Sequence, residues 1–157
     1  KLSAADAAFP GAVDAAVLYK EYAAAAGIEI EVVREPNDGY WKNVWLKKPW
    51  GACYWGGRPT EDWMFSTTHY SGADWNDTHF KNEQFDKWLI EARAETNQNK
   101  RRQIYYEMQK MVSDEGGTVV PMFANYVFAA QKNVQHGTMA GNWMMDGNKF
   151  HERWWFA

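Results

Sequence analysis

The chain carries a single cysteine, Cys53, so it has no means of closing a disulfide within itself. That leaves the compartment open, because chains without disulfides occur in the periplasm as well as in the cytosol. It has no apolar run long enough to span a bilayer. The most alanine-rich stretch, 12–26, is broken by Asp14, Lys20 and Glu21. It has no excess of one charge either: 17 Lys and Arg stand against 20 Asp and Glu, a net charge of −3. A nucleic-acid partner, which would need a basic face, is therefore not expected. No signal peptide is visible at Lys1, and a mature or truncated chain would show none. Neither internal repeats nor low-complexity linkers occur.

Chemistry-bearing patterns are equally scarce. His69, His79, His136 and His151 make no metal-binding spacing with one another or with Cys53, so neither a zinc site nor a cofactor is expected. Gly56-Gly57 lacks the lysine and spacing of a phosphate loop. Ser66 and Ser71 lack the strand-to-helix elbow of an exposed nucleophilic serine. Glu61 and Asp62 are adjacent acids, but neighbouring helical residues point about 100° apart and cannot flank one bond as a glycosidase pair does. Acids also favour the first turn of a helix. The apolar neighbours of Cys53 suit an inert thiol better than a nucleophile.

What the chain does have is aromatics, 17% of its 157 residues with ten tryptophans. These rings either build one large core or line a ligand cleft. The length suits a single domain able to bury its own core.

Read in order, a short strand within 1–6 precedes the Pro10-Gly11 turn. A helix then opens at Asp14, with Ala15, Leu18, Tyr19, Tyr22 and Ala26 as its buried stripe. Gly27 ends it as the left-handed residue after the cap. Ile28, Ile30 and Val32 alternate with Glu29 and Glu31 as a strand wet on one face. Strand, helix and strand make a βαβ unit with parallel strands. After the turn cluster at 36–39, Tyr40 to Leu46 reads as a short helix. Gly51 to Trp55 is the next strand.

That strand ends in a corner, Tyr54-Trp55-Gly56-Gly57-Arg58-Pro59, and a helix starts at Thr60. Strand ends that feed a helix through glycines are where α/β proteins place ligands. Trp55 suits core packing or ligand stacking. Arg58 suits a bidentate carboxylate contact or a surface turn. Asp62 suits a ligand-facing carboxylate or a helix first turn. The helices that follow begin near Asn82 and Asn99. The second carries Lys100, Arg101 and Arg102 at its start and Asp114 and Glu115 at its end, against the macrodipole. Thr118 to Phe123 reads as a buried strand. Asn125, after it, could bond a ligand or the local turn. The tail 131–157 ends in Arg153-Trp154-Trp155-Phe156, which suits packing on a further element.

Several segments, taken in order, resemble a known family. They are Asp38-Gly39-Tyr40-Trp41, then Tyr54 through Asp62, then Asn82-Glu83-Gln84-Phe85-Asp86, then Lys100 through Gln109, then Val120-Pro121-Met122-Phe123. Together they resemble the C-terminal lobe of bacterial extracellular solute-binding proteins of family 5, the peptide, oligopeptide and nickel receptors of ABC importers. The resemblance covers nearly the whole chain. It implies an α/β fold, one lobe of a type II periplasmic-binding fold with a mixed sheet flanked by helices. It also implies a periplasmic protein that is not an enzyme and traps a small-molecule or peptide ligand between two lobes. Its partners would be the missing N-terminal lobe and an ABC transporter permease. The expected ligand-binding residues are Tyr54, Trp55, Gly56, Gly57, Arg58, Asp62 and Asn125.

Peptide receptors of that family often carry an aspartate after the corner tryptophan, paired with the peptide amino group. This sequence has Gly56-Gly57-Arg58 there, which suits an anionic ligand such as an opine; the rings would also suit an oligosaccharide. Two other readings remain: a carbohydrate-active enzyme module using Glu61 or Asp62, and an interaction domain using Trp154 and Trp155.

Overall fold

A three-residue strand sits at the centre of the first half of the chain. In the computed structural model, which describes residues 1–141 and 143–157, β1 (Leu2–Ala4) pairs in parallel with β2 (Val32–Arg34). The crossover between them is α1 (Ala12–Ala25), so the expected βαβ unit is present. On the other edge of β1 the chain returns at Gly51. Ser3 donates to the Trp50 carbonyl at 3.1 Å, and Ala52 donates to that of Ser3 at 2.8 Å. The Tyr40 hydroxyl, buried beneath, fixes this edge by donating to the Ala52 carbonyl at 2.6 Å. The expected strand from Gly51 to Trp55 is thus a single parallel bridge that then peels away toward solvent.

Two details of this half differ from expectation. The buried face of α1 is Ala12 and Ala16, with Val13, Tyr19 and Ala23 packed beside them, whereas Leu18 and Tyr22 face outward. Ala16 packs with Leu2, Ala4 and Ile30 of the sheet side, and Ala12 with Ala5, Ala8 and Tyr40. Gly27 has the expected left-handed backbone, φ 76°. The strand after it starts later than the alternation suggested: Ile28 is exposed and Ile30 is buried ahead of β2.

The second half is helical. α2 (Tyr40–Asn43) is one turn. α3 (Glu61–Thr68) begins where Thr60 Oγ1 accepts from the Trp63 amide. α4 (Glu83–Ala94) is capped by Asn82 and α5 (Gln98–Glu115) by Asn97, each side-chain oxygen accepting from two amides. Such caps satisfy orphan donors and contribute about 1 kcal/mol each. The core between these helices is Phe65, Phe80, Phe85, Leu89, Ala92, Tyr105 and Met108. Burying a side chain of this kind stabilises by roughly 1.5–3 kcal/mol. That burial outweighs the misplaced charges of α5, which cost on the order of 0.3–1 kcal/mol apiece.

Past Gly117 the expectations for 118–130 do not hold. Thr118 to Phe123 forms no strand and is exposed throughout, with Phe123 at 94%. The tail makes its own ribbon instead: β3 (Val134–His136) pairs antiparallel with β4 (Trp154–Phe156). The connection includes a left-handed turn at Met145, Asp146, Gly147 and Asn148. Left-handed backbone is costly for residues with a Cβ. Asp146 braces the turn by accepting from the Ala140 amide at 2.6 Å and the Trp154 indole at 3.1 Å. Among the described residues, no helix is long and apolar enough to cross a membrane.

Candidate functional site

The corner after the Gly51 bridge is half-open to solvent. Tyr54 is 63% exposed, Trp55 and Arg58 are half-buried, and Gly57 and Pro59 are exposed. Neither Gly56 nor Gly57 has a left-handed backbone. A Cβ on Gly57 would meet nothing within 4 Å, and one on Gly56 would meet only Arg58 Nη1, at 3.6 Å. What these glycines provide is open space in front of the chain.

Trp55 belongs to a network of rings. Its partners are Trp45 and Trp75, with centroids 6.2 and 6.1 Å away; Trp45 meets Trp41, which meets Tyr54. Most of these pairs are edge-to-face, at 61–80°, so the rings interlock in a herringbone. Such contacts add about 0.5–1.5 kcal/mol per pair beyond area burial. Trp41, Tyr54 and Trp75 remain exposed.

The network is pinned by a residue that sequence reasoning passed over. Asp77 Oδ2 accepts from the Trp45 indole at 3.0 Å and the Trp55 indole at 3.2 Å. The Cys53 thiol points at the same oxygen, 3.4 Å away. Burial, then the charge of Asp77, pushes that thiol up to about 12, which favours the neutral thiol over the thiolate. Asp77 lies in the loop between α3 and α4. Its partners are 22 to 32 residues earlier, a separation with no local signature.

Arg58 sits within three indoles. Its guanidinium carbon lies 5.9 Å from the Trp55 ring centroid, 5.7 Å from Trp63 and 5.8 Å from Trp143. These are within cation–π range. Nη1 donates to the Gly56 carbonyl at 2.8 Å, and Nε is buried without an acceptor.

Asp62 has a different occupation from the ligand contact considered for it. Arg93 donates Nε to Oδ2 at 2.7 Å and Nη2 to Oδ1 at 3.0 Å. The Tyr105 hydroxyl donates to Oδ2 at 3.1 Å and Ser66 to Oδ1 at 3.3 Å. Asp62 thereby ties α3 to α4 and α5. Burial would raise its carboxyl, but the hydrogen bonds from Arg93 and Tyr105 hold it below the ordinary value. Glu61 beside it points to solvent.

Asn125 is exposed on a different wall. It lines a cavity of about 430 Å³ with Tyr126, Phe128, Trp143, Met145 and Asp146. Trp143 is common to this cavity and to the Arg58 cluster, so it links Asn125 to the corner. A groove between α4 and α5, lined by Trp88, Glu91, Lys100 and Glu107, includes none of the corner residues. Among the described residues no group of three His, Cys, Asp or Glu side chains converges as a metal site would.

No family model and no curated protein matches the chain. A solved structure does: NikZ from Campylobacter jejuni in complex with Ni(L-His), with a TM-score of 0.58 and 20% sequence identity. The match covers 73% of this chain and 24% of NikZ, so the chain spans about a quarter of that protein's length. The likeness shows the fold: this is a mixed α/β chain sharing part of a periplasmic-binding-protein fold.

Proposed function

We propose that the chain is one ligand-binding lobe of a solute-binding protein, the capture component of an ABC importer. In this reading it works in the periplasm. It closes with a second lobe on a small organic or peptide-like solute, then presents the closed form to a membrane permease. The observation that carries the reading is the half-open aromatic corner: rings and Arg58 just beyond the single parallel bridge at Gly51, with Trp45 and Trp55 held by Asp77. The shared fold with NikZ supports it. Tyr54, Trp55, Gly56, Gly57 and Arg58 form the contact surface, with Asn125 on the wall beyond Trp143. Asp62 supports that surface through Arg93 and Tyr105.

The geometry favours binding over catalysis. Cys53 is held as a thiol, Asp62 has its oxygens occupied by Arg93, Tyr105 and Ser66, and Glu61 beside it stands in solvent. The herringbone also bears on ligand shape. A row of sugars wants coplanar faces, whereas these rings meet mostly edge-to-face, which suits a compact solute with one apolar group.

The test is thermal denaturation and tryptophan fluorescence of the chain against dipeptides, opines and oligosaccharides. A true ligand at a hundredfold excess over its dissociation constant stabilises the fold by about 2.7 kcal/mol. Trp55→Ala should abolish that gain. A panel that leaves both signals unmoved would remove the reading.

A further inference from the structure

We infer that Arg58 is the receptor for a ligand carboxylate, taken side-on by its Nε and Nη2 atoms, with the flanking indoles clasping the apolar group attached to that carboxylate. This rests on the solute-binding reading and narrows its ligand to acids. Three observations carry it.

The first is the buried Nε, a charged-group donor with no acceptor. A sealed donor left unpaired is costly, and native folds keep few of them. The second is the way the guanidinium is held. The Gly56 carbonyl takes Nη1, which turns that end of the fork toward the protein's own backbone. The edge left over is Nε with Nη2. Arg93 uses the same two atoms on the two oxygens of Asp62, at 2.7 and 3.0 Å, so the chain itself shows what that edge binds. Among the described residues no acid pairs with Arg58.

The third is the surroundings. Trp55, Trp63 and Trp143 lie within 6 Å of the guanidinium carbon. Indole faces stabilise the charge without consuming a donor. They also exclude water, which strengthens a charge-assisted pair. Trp143 comes from the segment beside the left-handed turn, and Trp63 is 49% exposed. A ligand reaches Nε by displacing the indole cover and putting its own apolar group there.

The experiment follows the side-chain Nε–H signal of Arg58 by NMR in the 157-residue chain, assigned by its loss in Arg58→Lys. The probes are N-acetylphenylalanine and its amide, which differ only in the charged group. The acid should shift the Arg58 signal saturably, the amide should not, and the Arg93 signal should stay in place. Arg58→Lys should bind the acid about tenfold more weakly, since lysine cannot make the side-on pair. An Arg58 signal that ignores the acid, or answers acid and amide alike, overturns the inference. If tryptophan fluorescence reports binding of both probes while Arg58 is silent, the solute-binding reading survives and this one does not. If the whole solute panel is silent as well, both fall.

Discussion

The carboxylate of Asp77 accepts the indole N–H of Trp55 at 3.2 Å, and this bond fixes the ring at the front of the corner. The same oxygen takes Trp45, so one acid from the helical half orients two rings presented by the sheet half. Removing it should free both indoles. In Asp77→Ala, two partly buried donors lose their acceptor, at about 1–3 kcal/mol. The expected result is a lower melting temperature and a red-shifted tryptophan emission. Asp77→Asn, which keeps an acceptor, should recover most of both.

Cys53 should resist alkylation. With its thiol pushed up to about 12, the thiolate at neutral pH is scarcer than in a free cysteine by roughly a thousandfold. Iodoacetamide should label the folded chain at least a hundredfold more slowly than glutathione, and unfolding in urea should restore the rate. Asp77→Asn removes one of the charges that disfavours the thiolate and should speed labelling of the folded form.

Arg93→Gln should loosen the joint between α3 and α4. It strips the bidentate partner from Asp62, and because Arg93 is half-exposed the cost is about 1 kcal/mol. Asp62 sits below its ordinary value of 3.8 in the fold, so its contribution is complete above that pH. It fades as pH falls through the lower folded value. Acid denaturation curves should therefore separate wild type from Arg93→Gln near neutrality and converge at low pH. Equal offsets at all pH values would count against this linkage.

His69 gives a second acid-side slope. Burial lowers its basicity, partly opposed by the charge of Asp77, so the unfolded chain takes up the proton first. Stability should be complete above pH 6.5 and decline as pH falls below it. His69 meets Phe65 and Phe80 edge-to-face and Phe85 at a tilt, so His69→Phe can keep the ring packing. That variant should lose the decline in melting temperature over this interval.

Local signals were legible in the sequence. The helix start near Asn82 and Gly27 as the left-handed stop rest on chemistry within a few residues, and the parallel pairing across α1 follows from the strand, helix, strand order. Distant relationships were not. Asp77 carries no periodic mark, and nothing near Asp62 announces Arg93 or Tyr105, 31 and 43 residues on. The run from Thr118 to Phe123 shows the opposite failure. Its apolar pattern suits a strand, but a strand exists only where another edge takes its N–H and C=O groups. Among the described residues none does. In α1, hydrophobicity pointed to Leu18 and Tyr22, while packing buries Ala12 against Ala5, Ala8 and Tyr40 and Ala16 against Leu2, Ala4 and Ile30.

α5 has its cations at the wrong end and its anions at the other, so isolated from its neighbours it should be a frayed peptide. Its order is lent by α4 through Phe85, Leu89 and Met108. A cut in the loop between the two helices, or a truncation that removes α4, should melt α5 entirely. The packing of α4 on α5 would then be lost in one step, together with the Tyr105 hydroxyl bond to Asp62 of α3.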